Sequence, residues 1–256
     1  MPLSATTVLS AEESPEMSFM LLNSRRPSSS TRAQSYGWRR GLLQIAAAAL
    51  CSAALVAGAR TAADAFLPVK IVALGDSLTA GYGLPEKDGF VPSLQAALAV
   101  KGMAAEMTNA GVSGDTAADG LARLDWSVPA GTDAVIVELG ANDMLRGLDP
   151  SATRDALDTI LQRLSRRHIA ILLCGMRAAP NLGPDYGRAF DRIYPDLADK
   201  YSVLLYPFFL DGVAANLGLT QSDGMHPNAT GVGVIVERIL PKVQELVARV
   251  RNQRPS

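Results

Sequence analysis

The chain has little cysteine: 256 residues carry two, Cys51 and Cys174. If the segment around Cys51 is removed, as argued below, one thiol remains. No intramolecular disulfide can then form, and the fold has to stand on its core. Cys174 ends the apolar run IAILLCG, where a thiol serves as a small buried hydrophobe rather than a reactive group. Histidine is equally scarce, so chemistry that needs an imidazole can use only His168 or His226. Aromatic residues make up 5%, which leaves few flat surfaces on which sugars could stack. The formal net charge is -1 and no run of Lys and Arg occurs beyond residue 65, which argues against nucleic acid as a partner. No metal-ligand spacing, phosphate loop or dinucleotide fingerprint is present in the sequence, so neither a metal nor a cofactor is expected. What remains is an ordinary globular composition, 48% hydrophobic and 19% charged, with room for one full core and a small-molecule partner.

The first 65 residues read differently from the rest. SSSTRAQSYGWRR is polar and free of acids, GLLQIAAAALCSAALVAG (41–58) is apolar, and Ala63-Asp64-Ala65 is a small-residue cleavage triplet. These are the three regions of an export signal in order, with Phe66 as the expected mature start. Arg39 and Arg40 before Gly41-Leu42-Leu43 also fit paired-arginine export. An uncleaved membrane anchor is the alternative, because the apolar run is close to the length that spans a bilayer. Its Ala-rich composition and the A-x-A triplet favour cleavage, which leaves no stable membrane anchor. Cys51 is a poor lipidation site because Leu50 precedes it. The stretch before the apolar run is long for a leader, and Met17 or Met20 are alternative starts. The expected organisation is a leader over 1–65 and one domain over 66–256, with a periplasmic or secreted location.

From residue 66 the chain alternates. Apolar runs at 69–75, 104–111, 133–140, 168–175 and 201–207 are separated by helix-like stretches at 89–101, 115–124, 151–167 and 185–200, with an amphipathic close over 228–251. This alternation predicts an α/β fold: a flavodoxin-like three-layer sandwich with a five-stranded parallel sheet of order 2-1-3-4-5 and helices on both faces. Ligands bind such sheets outside the carboxyl ends of the strands. Four polar loops fall on that rim: Gly75-Asp76-Ser77; Asn109 to Asp115; Gly140-Ala141-Asn142-Asp143; and Asp223-Gly224-Met225-His226-Pro227.

A serine hydroxyl is a weak nucleophile until a base takes its proton. His168 stands at the amino end of the fourth strand, away from the rim, which leaves His226 to serve Ser77. Asp223, three residues before His226, can accept from one ring nitrogen and turn the other toward the serine, while Pro227 holds the loop extended. The backbone N–H of Ser77, the backbone N–H of Gly114 and the Asn142 amide are candidate donors to an oxyanion. Each alone has a blander reading: Asn142 as a helix cap, Gly114 as a turn glycine, DGMHP as a surface loop. Met144 and Leu145, directly after Asn142, are either helix-start packing or the wall of an acyl groove.

GDSLTAGYG, NAGVSGDTAADGLARL, VIVELGANDMLRG and DGMHPNATG, in this order, resemble the four blocks of the SGNH (GDSL) hydrolase superfamily over about 66–250. YGRAFDRIYPDLADKY and YPFFLDG between the last two blocks resemble its periplasmic acyl-CoA thioesterase/lysophospholipase and arylesterase branch. The resemblance implies a serine esterase acting on acyl esters or thioesters, with Ser77 as nucleophile, His226 as base, Asp223 as its partner, and Ser77, Gly114 and Asn142 as the oxyanion hole. A carbohydrate O-acetyl esterase or a non-catalytic binding module on the same fold are the alternatives. The G-x-S-x-G elbow of the α/β-hydrolases is absent, since Thr79 stands two after the serine, so no tight elbow is expected. Asp76, next to Ser77, is expected to hold its loop by hydrogen bonds rather than to serve as the triad acid.

Overall fold

Val69–Gly75 (β1) reads VKIVALG, and every residue of it except Lys70 is buried, as a strand covered on both faces requires. The computed structural model describes residues 67–254. The leader reading of 1–65, with Cys51 and the start at Phe66, lies outside the described residues. Ala105–Gly111 (β2), Ala134–Glu138 (β3), Ala170–Cys174 (β4) and Leu204–Tyr206 (β5) join β1 in one parallel sheet of order β2-β1-β3-β4-β5. That is the order the alternation predicts. In register, Gly75 stands beside Gly111 on one side and Glu138 on the other, and Glu138 stands beside Cys174. The carboxyl ends of four strands therefore finish level and make a single rim.

Nine helices are described: Ser77–Ala80 (α1), Phe90–Val100 (α2), Ala117–Ala122 (α3), Leu124–Ser127 (α4), Ala141–Leu145 (α5), Pro150–Arg166 (α6), Pro184–Asp191 (α7), Ile193–Tyr201 (α8) and Ala229–Gln253 (α9). The helices α2 and α9 pack together over one face of the sheet, while α3, α6 and α8 cover the other. α6 buries Thr153, Ala156, Leu157, Ile160, Leu161 and Leu164, a stripe at the three-to-four spacing of an amphipathic helix. No described helix is long and apolar enough to cross a membrane. Cys174 is fully buried, and burial pushes its thiol well above the ordinary range, so it packs as a hydrophobe.

Two stretches expected to be single helices are each divided. Pro195 has no N–H to bond the carbonyl of Asp191, and its ring would collide with that carbonyl, so the 185–200 stretch restarts as α8. The 115–124 stretch ends early at Arg123, whose buried guanidinium donates to the carbonyls of Gly75 and Ala110 and to the Oγ of Ser127, and pairs with Asp115. One arginine thus ties the ends of β1 and β2 to the loop that follows.

His168 closes α6. It is exposed and left-handed at φ 56, with its N–H on the Ser165 carbonyl and the Ile169 N–H on the Leu164 carbonyl. This is a Schellman cap with histidine where glycine is ordinarily found. His168→Gly is expected to raise stability by about 0.5–1 kcal/mol by relieving the left-handed strain. Thermal unfolding should then shift upward by about 1–4 °C. A lower melting temperature would show that the imidazole makes a compensating contact.

Candidate active site

Ser77 is the first residue of α1, and Asp76 caps that helix by accepting the Leu78 N–H at 3.0 Å. Ser77 is not among the non-glycine residues with positive φ, so the serine is displayed by a helix start and not by a strained elbow. The close turn still requires glycine before it. A Cβ on Gly75 would lie 2.0 Å from Thr79 Oγ1 and 2.6 Å from Glu138 Oε2.

The DGMHP loop reaches the serine from the far end of the chain. His226 Nε2 stands 3.0 Å from Ser77 Oγ, and His226 Nδ1 stands 2.6 Å from Asp223 Oδ2. The other Asp223 oxygen accepts the N–H groups of Met225 and His226 at 2.9 and 3.0 Å, which pins the carboxylate within its own loop. The bond from His226, followed by these backbone bonds, holds the Asp223 carboxyl down at about 2. Asp223 is therefore ionised across the pH range in which proteins ordinarily work and can stabilise a positive charge on the imidazole. The remaining histidine, His168, lies at the opposite end of the sheet.

Three candidate donors, on Ser77, Gly114 and Asn142, line the cavity at the serine. The N–H groups of Ser77 and Gly114 have no hydrogen-bond partner among the described residues. Gly114 has φ +90, a conformation that a side chain would strain, and Arg146 holds the loop by donating to the Gly114 carbonyl at 2.7 Å. Asn142, in the first turn of α5, donates its Nδ2 to the Asp115 carbonyl at 3.0 Å and to Asp76 Oδ2 at 3.2 Å. The amide is thus aimed from two sides. Asp143 does not join this group. It is buried, and accepts from the Ala117 N–H and the Thr153 hydroxyl.

Beneath the serine lies a pair of buried acids. Asp76 is fully buried, and burial raises its carboxyl to about 6 against the opposing pull of the Leu78 N–H and His226. Glu138, the last residue of β3, is also fully buried; its Oε2 accepts from the Thr79 hydroxyl at 2.6 Å and the Asp76 N–H at 3.3 Å. Its Oε1 has no hydrogen-bond partner among the described residues, and burial next to Asp76 pushes the carboxyl well above the ordinary range. A buried carboxylate with one bare oxygen is costly, which is the physical cause of that upward shift. Sequence reading missed Glu138, although an acid closing the apolar stretch AVIVE was a usable signal. It also missed Arg123, for which only the tertiary contacts speak.

A cavity of about 640 Å³ opens beside Ser77, His226, Gly114 and Asn142. Its walls include Met144 and Leu145, together with Met176, Phe208, Leu210 and Met225.

A model of the GDSL-like Lipase/Acylhydrolase family matches residues 73–234. "Esterase TesA" of Pseudomonas aeruginosa is 38% identical over 178 residues, covering 69% of this chain and 89% of that protein. "Thioesterase 1/protease 1/lysophospholipase L1" of Escherichia coli is 37% identical, covering 69% of this chain and 84% of that one. The crystal structure of AlinE4, an SGNH-hydrolase family esterase, superposes with a TM-score of 0.60 at 49% identity, covering 70% of this chain and 96% of that structure. The chain belongs to the GDSL-like lipase/acylhydrolase (SGNH hydrolase) family and is an ester hydrolase.

Proposed function

We propose that the chain hydrolyses acyl esters and thioesters through an acyl-enzyme on Ser77. The observation that carries this reading is the unbroken hydrogen-bond chain Ser77–His226–Asp223 at the mouth of an apolar cavity. His226 Nε2 takes the hydroxyl proton as Oγ attacks the carbonyl, and the imidazolium is held by ionised Asp223. The oxyanion that forms is received by the N–H groups of Ser77 and Gly114 and by Asn142. Collapse of the tetrahedral adduct transfers the proton to the departing alcohol or thiol. Water then repeats the sequence in reverse and releases the carboxylic acid.

Met144, Leu145, Met176 and Leu210 offer an acyl chain an apolar bed. The names of the relatives, which include a thioesterase and a lysophospholipase, support acyl substrates with varied leaving groups. The leader reading of residues 1–65 supports a periplasmic or secreted location for the domain that follows. Small-molecule esters are the partners of this site, and nothing in its charge suits nucleic acid.

The test is a series of p-nitrophenyl esters from acetate to dodecanoate. Each methylene buried in the cavity contributes up to about 0.8 kcal/mol, or about fourfold in kcat/KM. We expect a rise over several carbons before the cavity is filled. A maximum at acetate, with acetylated sugars better still, would instead assign a carbohydrate O-acetyl esterase.

A further inference from the structure

The imidazole of His226 has a neighbour that the reaction scheme does not use. The ring of Tyr82 lies 4.7 Å from it, centroid to centroid, at an angle of 40°. Tyr82 follows α1, and its N–H donates to the Ser77 carbonyl at 3.1 Å, so its backbone is part of the nucleophile's own turn. Yet the residue is 53% exposed. It fills no core, and what it covers is the histidine.

Gln221 joins the two blocks. Its backbone N–H donates to the His226 carbonyl at 2.7 Å, and its side-chain amide donates to the carbonyls of Tyr82 at 2.7 Å and Pro227 at 3.0 Å. Thr220 and Pro227 form an antiparallel bridge that closes the base loop, with Asp223 and His226 inside it. One glutamine therefore gathers the carbonyls on both sides of the Ser77–His226 hydrogen bond.

We propose that Tyr82 is a positioning residue for the base: its ring, carried on a backbone whose carbonyl Gln221 holds, keeps the imidazole facing Ser77 and favours the imidazolium that each half-reaction generates. The proposal rests on the serine-hydrolase reading above. An aromatic face attracts a neighbouring cation through its quadrupole, and in a partly exposed setting the effect is modest. Its removal favours the neutral imidazole, so the proton is lost at lower pH. The charged groups around the ring are Asp223 on the same loop, Asp76 at the end of β1, whose carboxyl is raised to about 6, and Arg177 across the cavity. All three are untouched by changes at Tyr82.

The experiment compares Tyr82→Ala, Tyr82→Phe and Gln221→Ala with the parent protein on p-nitrophenyl butyrate over a range of pH. Tyr82→Ala is expected to lower kcat about three- to tenfold with KM changed less, and to move the acid limb of kcat/KM down by about 0.3–0.7 pH units. Phenylalanine supplies the same ring and should restore both. Gln221→Ala should lower kcat in the same direction, and combined with Tyr82→Ala its effect should be less than additive. Because Tyr82 is exposed, these variants should fold, and Gln221→Ala tests the bracket independently if one does not. A loss confined to KM, an unmoved acid limb, or a Tyr82→Phe variant as impaired as Tyr82→Ala would each overturn the proposal. Failure of the serine-hydrolase reading looks different: Ser77→Ala would then keep its activity.

Discussion

Ser77→Ala is expected to lower ester hydrolysis by about 10⁴- to 10⁶-fold while the protein remains folded. No other hydroxyl stands within hydrogen-bond reach of His226 Nε2 among the described residues. Residual turnover would come from the oxyanion donors and the cavity acting on water. The side chain is half-buried on the rim and the helix cap belongs to Asp76, so unfolding free energy should change by no more than about 1 kcal/mol. A single-turnover assay with p-nitrophenyl butyrate, beside a denaturant titration, measures both. The parent protein should also be labelled once by an alkyl phosphonate, and Ser77→Ala not at all. Appreciable turnover or labelling in the variant would remove the nucleophile assignment.

Asn142→Ala should lose about 10²- to 10³-fold in kcat, or about 2.7–4 kcal/mol of transition-state stabilisation, with little change in KM. The amide already donates to Asp76 Oδ2 and the Asp115 carbonyl, so it can receive an oxyanion only by sharing or releasing one of those bonds. Its contribution is then made as the oxyanion forms and not to the bound ester. The substitution also removes a donor from the buried Asp76 carboxyl, which should cost stability of about 1–3 kcal/mol. Asn142→Asp keeps the shape, offers no amide donor and faces one acid with another, so it should be the worse variant. If Asn142→Ala raised KM and left kcat alone, Asn142 would be a ground-state contact.

The four polar blocks carry most of what is legible in the order of the amino acids. A hydrophobic strand that breaks into Gly-Asp-Ser places the serine on the rim, and the strand–helix alternation places three other blocks beside it. The scarcity of histidine then leaves one base to choose. Other features have no such signature. Arg123 looks like any surface cation in a helical stretch, yet it is buried and bonded to two strand ends. Tyr82 looks like an exposed loop aromatic, and only folding sets it against an imidazole contributed from much later in the chain. The division at Pro195 is open to reading from the proline itself, whose missing N–H and ring act locally.

Fold class, strand order and the identity of the polar blocks follow from the order of residues alone, because strand and helix periodicity, the handedness of crossovers and glycine punctuation are local rules that act over a few residues. Tertiary packing sets the 3.0 Å approach of His226 to Ser77, the burial that raises the Glu138 carboxyl, the two hydrogen bonds of the Asn142 amide and the shape of the cavity. Each of these depends on the distance between groups far apart in the chain and on how much water is excluded between them. Neither quantity exists until the sheet, with its helices on both faces, has closed around them.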